Sequence, residues 1–151
     1  MDITIHELSN DEITIALELT WEVFMEFEAP DYSQEGVNEF RSFLDDQDAM
    51  KKLRFWGALN LNKMVGILAM RQDHICLLFV RKEFHRQGIA KELFRHMLYQ
   101  IKSETITVNS SPYALEVYGK LGFIATKAEQ ITNGIRYTPM IYVREESVIV
   151  G

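Results

Sequence analysis

The chain has 151 residues and a mass of 17.6 kDa, with 47% apolar and 25% charged residues. That composition suits one folded domain with a real core and excludes disorder as the main state. The net charge of −6 argues against general nucleic-acid binding, and the longest apolar runs, Met64–Met70 and Ile75–Val80, are too short to span a bilayer.

Asp2–Glu7 alternates in polarity and predicts a strand with Ile3 and Ile5 on one face. Ser9-Asn10-Asp11-Glu12 is a capping box, so a helix follows, with Ile13, Ala16, Leu17, Thr20, Trp21 and Phe24 at helical spacing. Ala29-Pro30 ends it. Asp31 or Ser33 caps a second helix that places Val37, Phe40 and Leu44 on one side. Leu53–Leu59 and Met64–Met70 predict a hairpin, and Ile75–Val80 a central strand covered on both faces. A helix begins after Gly88, and Thr105–Val108 is another strand. Ser111-Pro112 reads as an N-cap followed by Pro at the first helical position, with Gly122 as that helix's stop. Phe123–Ile131 and Ile135–Val143 flank Asn133-Gly134, a strong hairpin signal, and Pro139 suits an edge or a bulge. The order is β-α-α-β-β-β-α-β-α-β-β. It predicts an α/β layered single domain over residues 1–151, with a mixed sheet and at least one crossover.

Charge is unevenly spread. Residues 1–50 hold 14 acids against one base, Arg41, whereas the remainder holds 8 acids against 15 bases. One region suits a cation and another an anion. The only cysteine, Cys76, excludes an intrachain disulfide; mid-strand in an apolar run, it reads as a small buried hydrophobe. Four scattered histidines do not make a closed zinc site, so no metal is expected. Met1-Asp2-Ile3-Thr4 lacks a signal peptide's basic and apolar regions, so a cytoplasmic protein is expected.

The segment richest in chemistry runs from the strand Leu77–Val80 through Arg81-Lys82-Glu83-Phe84-His85-Arg86-Gln87-Gly88 into a helix. The first amides of that helix lack internal partners and, with the helix dipole, form an anion site. Gly88 leaves room for close approach, and Arg81, Lys82, Arg86 and Lys91 add positive charge. A phosphate or pyrophosphate suits such a place. Neither a nucleotide P-loop nor a dinucleotide fingerprint occurs.

His85-Arg86-Gln87-Gly88-Ile89-Ala90 resembles the [Q/R]-x-x-G-x-[G/A] signature of the GNAT superfamily of N-acetyltransferases, with His85 departing from Gln or Arg at the first place. Thr107–Ala114 and Tyr118-Gly119-Lys120-Leu121-Gly122-Phe123 resemble the family's fifth strand and following helix, and Asn133–Met140 its final hairpin. The resemblance extends over essentially the whole chain. It implies a twisted mixed sheet of about seven strands with helices on both faces. It also implies an acetyl-CoA-dependent acyltransferase acting on a primary amine by direct attack, with acetyl-CoA as donor substrate.

Carried over by position, the resemblance implies that His85, Arg86, Gln87, Gly88, Ile89, Ala90 and Lys91 hold the coenzyme pyrophosphate. Phe79 and Val80 would meet the pantetheine arm through their backbone, a backbone N–H near Phe79 would face the thioester oxygen, and Asn109 and Tyr113 would line the arm's path. Tyr118 takes the position of the general acid, and the loop holding Glu26, Glu28, Asp31 and Tyr32 forms an acceptor wall. A carboxylate there or His74 is a candidate base. The acidic first third would attract a cationic small molecule or exposed protein amine. The resemblance leaves a homodimer open, and the acceptor unnamed. Two other readings compete: a non-catalytic acyl-CoA-binding or sensing domain of the same fold, and an unrelated α/β interaction domain.

Overall fold

The computed structural model describes residues 2–145; Met1 and residues 146–151 lie outside the described residues. Strand β1 (Ile3–Glu7) leads into the Ser9 capping box. The box opens a single 3-10 turn, Asn10–Glu12, that runs directly into α1 (Ile13–Phe27). A second 3-10 turn at Ala29–Asp31, with Pro30 inside it, separates α1 from α2 (Gln34–Asp45). Of the two expected caps, Ser33 does the work: its hydroxyl accepts from Gly36 N at 3.3 Å. A short helix not anticipated from the sequence, α3 (Gln47–Lys51), follows, capped by the Asp46 carboxylate on Ala49 N at 3.0 Å.

The antiparallel ribbon β2 (Arg54–Asn60), β3 (Lys63–Arg71) and β4 (His74–Val80) comes next. Then α4 (Ile89–Gln100) crosses to β5 (Thr105–Ser110), which runs parallel to β4. The chain ends its described part with α5 (Leu115–Leu121), β6 (Ile124–Ala125), β7 (Gln130–Thr132) and β8 (Ile135–Val143). The sheet order is β1-β2-β3-β4-β5-β8-β6, with β7 also paired to β8.

Alternation along the strands sends side chains to two cores. Ile67, Ala69, Leu77 and Phe79 meet Ala16, Leu19, Val23 and Phe24 of α1. Leu68, Met70 and Ile106 meet Ile89, Leu93, Phe94 and Met97 of α4, with Tyr118 and Phe123 beside them. Gly66 seats α4: a Cβ there would lie 3.1 Å from Ile89 and 3.3 Å from Leu93, so its absence sets how closely the helix approaches the sheet.

Three expectations need correction. The strand expected at Phe123–Ile131 is broken into β6 and β7. Thr126 N reaches Pro139 O at 2.9 Å, and the ladder resumes at Gln130 opposite Tyr137. The first strand therefore has more residues than its partner there and loops out beside Pro139, which has no N–H for the ladder. The helix expected directly after Ser111 starts only at Leu115; Ser111 and Ala114 form a turn instead, with the Ser111 hydroxyl accepting from Ala114 N at 3.2 Å. Strand β4 is central but not covered on both faces: Cys76, Leu78 and Val80 are half-buried, because its neighbour diverges. Among the described residues no helix is long and apolar enough to cross a membrane.

Candidate functional site

The divergence makes the site. Strands β4 and β5 pair only at His74 with Thr107 and Ile75 with Val108. Beyond Ile75 they separate, and β5 keeps its ladder with β8 while β4 keeps its ladder with β3. The gap opens a cavity of about 290 Å³. Its sheet side carries Cys76, Leu78 and Phe79 from β4, and Val108 and Asn109 from β5. Helix α5 supplies Tyr118, and the turn before it Ser111 and Ala114. The opposite wall is Glu28 and Tyr32 from the α1–α2 connection, Glu39, Phe40 and Phe43 from α2, and Ile135 from β8.

The wall is held in place by a close backbone contact. A Cβ on Gly36 would stand 2.2 Å from Gly134 O, so the first turn of α2 rests directly on the β7–β8 turn. Asn133 and Gly134 both have positive φ, 52° and 80°, as the expected tight turn requires. Arg136 adds a bond to Asp31 O at 3.4 Å while pairing with Glu129.

Glu28 and Tyr118 have unusual protonation. Glu28 is half-buried and lines the cavity, and burial raises its carboxyl to about 7; the Asp31 charge pushes the same way and the Ser111 hydroxyl opposes. Tyr118 is 5% exposed and its phenol is held protonated well above the usual tyrosine range, by burial first and then by the nearby Glu28 charge. Its ring stands edge-on to Phe123 at 5.4 Å. Tyr118 lines the cavity, and among the described residues its hydroxyl makes no hydrogen bond. Tyr32 is shifted upward by burial and by the same Glu28.

Below the β4 terminus, the loop and α4 form the second part of the site. Arg86 and Gly88 adopt left-handed backbone, φ 62° and 80°. Gly88 is the N-cap of α4, and no side chain caps the helix, which leaves the amides of its first turn free for an anion. A Cβ at Gly88 would meet nothing within 4 Å, so the space above those amides is open. The residues present thus fit a pyrophosphate. Arg86 and Lys91 are exposed and pair with no carboxylate among the described residues. Gln87 donates to Glu83 O at 3.1 Å and braces the loop.

Other expected residues are placed differently. Arg81 binds Glu22 at 2.7 Å and Met64 O, and Lys82 reaches Glu26 at 3.6 Å, so both basic groups are engaged with α1. Glu26 accordingly faces that loop and not the cavity. The His85 ring turns back to donate from Nε2 to Val80 O at 2.6 Å and packs against Phe27. Tyr113, 42% exposed, stacks on Phe27 at 5.1 Å and stays outside the cavity wall. His74 bonds Thr107 Oγ1 at 2.8 Å where β4 and β5 are still paired, so it is at the far end from the loop. Phe24 is core, as its helical spacing predicts: it stacks on Phe40 at 4.0 Å, and Trp21 stacks on it. Sequence reasoning did not single out Glu39, Phe43 or Ile135 for the site, and it set Cys76 aside as core. Cys76 in fact forms part of the wall, with its thiol pushed upward by burial.

Comparison with known proteins agrees with this architecture. A family model described as the acetyltransferase (GNAT) domain matches residues 28–144. The curated Uncharacterized N-acetyltransferase YafP of Escherichia coli (strain K12) is 29% identical over 86 residues, 56% of this chain and 55% of that protein. The match thus spans about half the length of that relative. Among solved structures, a GCN5-related N-acetyltransferase from Rhodopseudomonas palustris superimposes with a TM-score of 0.80 at 19% identity, covering 95% of this chain and 96% of the other. The PaiA N-acetyltransferase from Thermoplasma acidophilum, solved in complex with coenzyme A, gives 0.75 at 18% identity, covering 95% and 99%. The splayed β4–β5 pair, the Gly88 helix terminus and the matched family model lead to one conclusion: the chain belongs to the GNAT acetyltransferase family.

Proposed function

We propose that this protein transfers an acetyl group from acetyl-CoA to a primary amine by direct attack, with Glu28 as general base and Tyr118 as general acid. One observation carries the reading. A carboxyl raised to about 7 and a protonated phenol with an unbonded hydroxyl share one cavity at the gap between β4 and β5.

The chemistry asks for both groups. A primary amine is protonated near neutral pH and attacks only after losing that proton. A carboxylate with a pKa near 7 is matched to taking it. The amine nitrogen then bonds the acetyl carbon, the carbon–sulfur bond breaks, the departing sulfur takes a proton from the Tyr118 hydroxyl, and the second proton lost by the nitrogen passes through solvent to restore that hydroxyl. The surroundings of Tyr118 keep it in the protonated form that a donor requires. The amides at the start of α4, with Arg86 and Lys91, hold the pyrophosphate. The β4 backbone at Phe79 and Val80 and the Asn109 side chain guide the pantetheine arm, and Val80 is fixed for this by His85.

Thermal unfolding with and without acetyl-CoA tests the donor site, with ATP and NAD as controls. Ligand at a hundredfold above its Kd adds about 2.7 kcal/mol. A rise with acetyl-CoA alone is the expected result. No rise at saturating concentration would overturn the reading.

A further inference from the structure

The cavity wall limits which amine can enter, an inference that rests on the acetyl-transfer reading above. At about 290 Å³ the cavity is at the small end of ligand pockets. Among the described residues the charged side chains on its wall are two carboxylates, and they differ in setting. Glu28 is half-buried, and burial dominates its environment. Glu39 is solvent-exposed and so stands at the mouth, and among the described residues it pairs with no basic group. The same wall carries the apolar side chains Phe40, Phe43 and Ile135.

Among the described residues the wall holds no lysine, arginine or histidine. Two cations adjoin wall residues in sequence, and Arg136, beside Ile135, is bound to Glu129 and to Asp31 O. Arg41, on α2, is bound to Asp45 and packs over Trp21. A substrate carboxylate would therefore enter the cavity without a partner and beside two like charges, an arrangement that rejects it. A second ammonium group would instead meet Glu39.

We propose that the acceptor is a small diamine without a carboxylate. Its reacting amine lies at Glu28, its methylene chain runs along Phe40 and Phe43, and its second ammonium is read by Glu39. Glu39 is the specificity-determining residue.

Three probes separate the parts of this claim: cadaverine, lysine (cadaverine with a carboxylate) and pentylamine (cadaverine without the second amine). Thiol release from acetyl-CoA gives kcat/KM for each. Cadaverine is expected to exceed lysine by about tenfold or more. Glu39→Gln is expected to lower the cadaverine-to-pentylamine ratio by roughly threefold to fivefold, as suits a solvent-exposed ion pair. The loss should fall on KM, and Glu39→Asp should restore part of it. A general folding defect would lower both amines together and leave the ratio unmoved. Lysine turned over as well as cadaverine, or an unchanged ratio in Glu39→Gln, overturns the proposal while acetyl transfer stands. Absence of thiol release with every amine, in protein that still binds acetyl-CoA, overturns the acetyl-transfer reading and this proposal with it.

Discussion

Glu28→Gln should make the protein more stable at alkaline pH and nearly inactive. The Glu28 carboxyl is raised from 4.5 to about 7, mainly by burial, with Asp31 adding to the shift and the Ser111 hydroxyl opposing it. A raised folded-state pKa means the native protein binds the proton more tightly than the unfolded chain. The stabilising contribution is then complete below pH 4.5 and is lost as pH rises toward 7. At about 1.36 kcal/mol per pKa unit, the loss across that window is about 3 kcal/mol. Glutamine has the same shape, cannot ionise and can still bond Ser111. The variant should therefore lack this downward slope and, at pH 8, unfold roughly 6–12 °C higher than wild type. Chemical denaturation at several pH values measures the slope, and calorimetry the midpoint. Turnover should meanwhile fall by about 10²–10⁴ through loss of the base, and the wild-type rate should rise with pH through about 7. The same decline in stability from pH 4.5 to 7 in Glu28→Gln as in wild type would mean that the buried carboxyl is not its source.

Three further variants probe separate parts of the site. Tyr118→Phe should lower kcat by about 10²-fold or more with little change in acetyl-CoA affinity, measured by steady-state kinetics and equilibrium binding. Gly88→Ala adds a methyl over the α4 amides at φ 80°, costing about 1–2 kcal/mol of stability and weakening coenzyme A binding at least roughly tenfold by calorimetry. Gly36→Ala places a Cβ against Gly134 O and must shift the α2 contact with the β7–β8 turn. It should cost about 1–3 kcal/mol in denaturant unfolding and raise the KM for amines while leaving coenzyme binding intact.

The parts of the site legible in the sequence are those whose geometry is written locally. A buried strand, a polar loop, Gly88 and an amphipathic helix sit within one stretch, and the backbone conformation of Gly88 is what such a junction requires. Tyr118 was legible only through resemblance; on its own the residue reads as part of the α5 inner face. Glu26 and Glu28 looked equivalent, but α1 ends between them. Glu26 stays on the outer helical face and pairs with Lys82, while Glu28, past the last turn, is directed into the cavity. The charges of Arg81 and Lys82 looked available because nothing local shows that α1 carries Glu22 and Glu26 to them. The α2 side of the cavity was not legible for a similar reason. Which face of α2 sees the cleft depends on Gly36 resting on Gly134, a contact between distant segments. The break between β6 and β7 came from a mismatch in length against β8, which pattern alone does not reveal.

Acetyl transfer from acetyl-CoA to an amine in the cavity between β4 and β5 can be read directly by incubating wild-type protein with acetyl-CoA and cadaverine, counting the thiol released and identifying the product by mass spectrometry. One N-acetylated amine per thiol is expected, with Glu28→Gln and Tyr118→Phe both strongly reduced. Tight coenzyme binding with no acetylated product from any amine would contradict it and favour a domain that binds or senses acyl-CoA without catalysis.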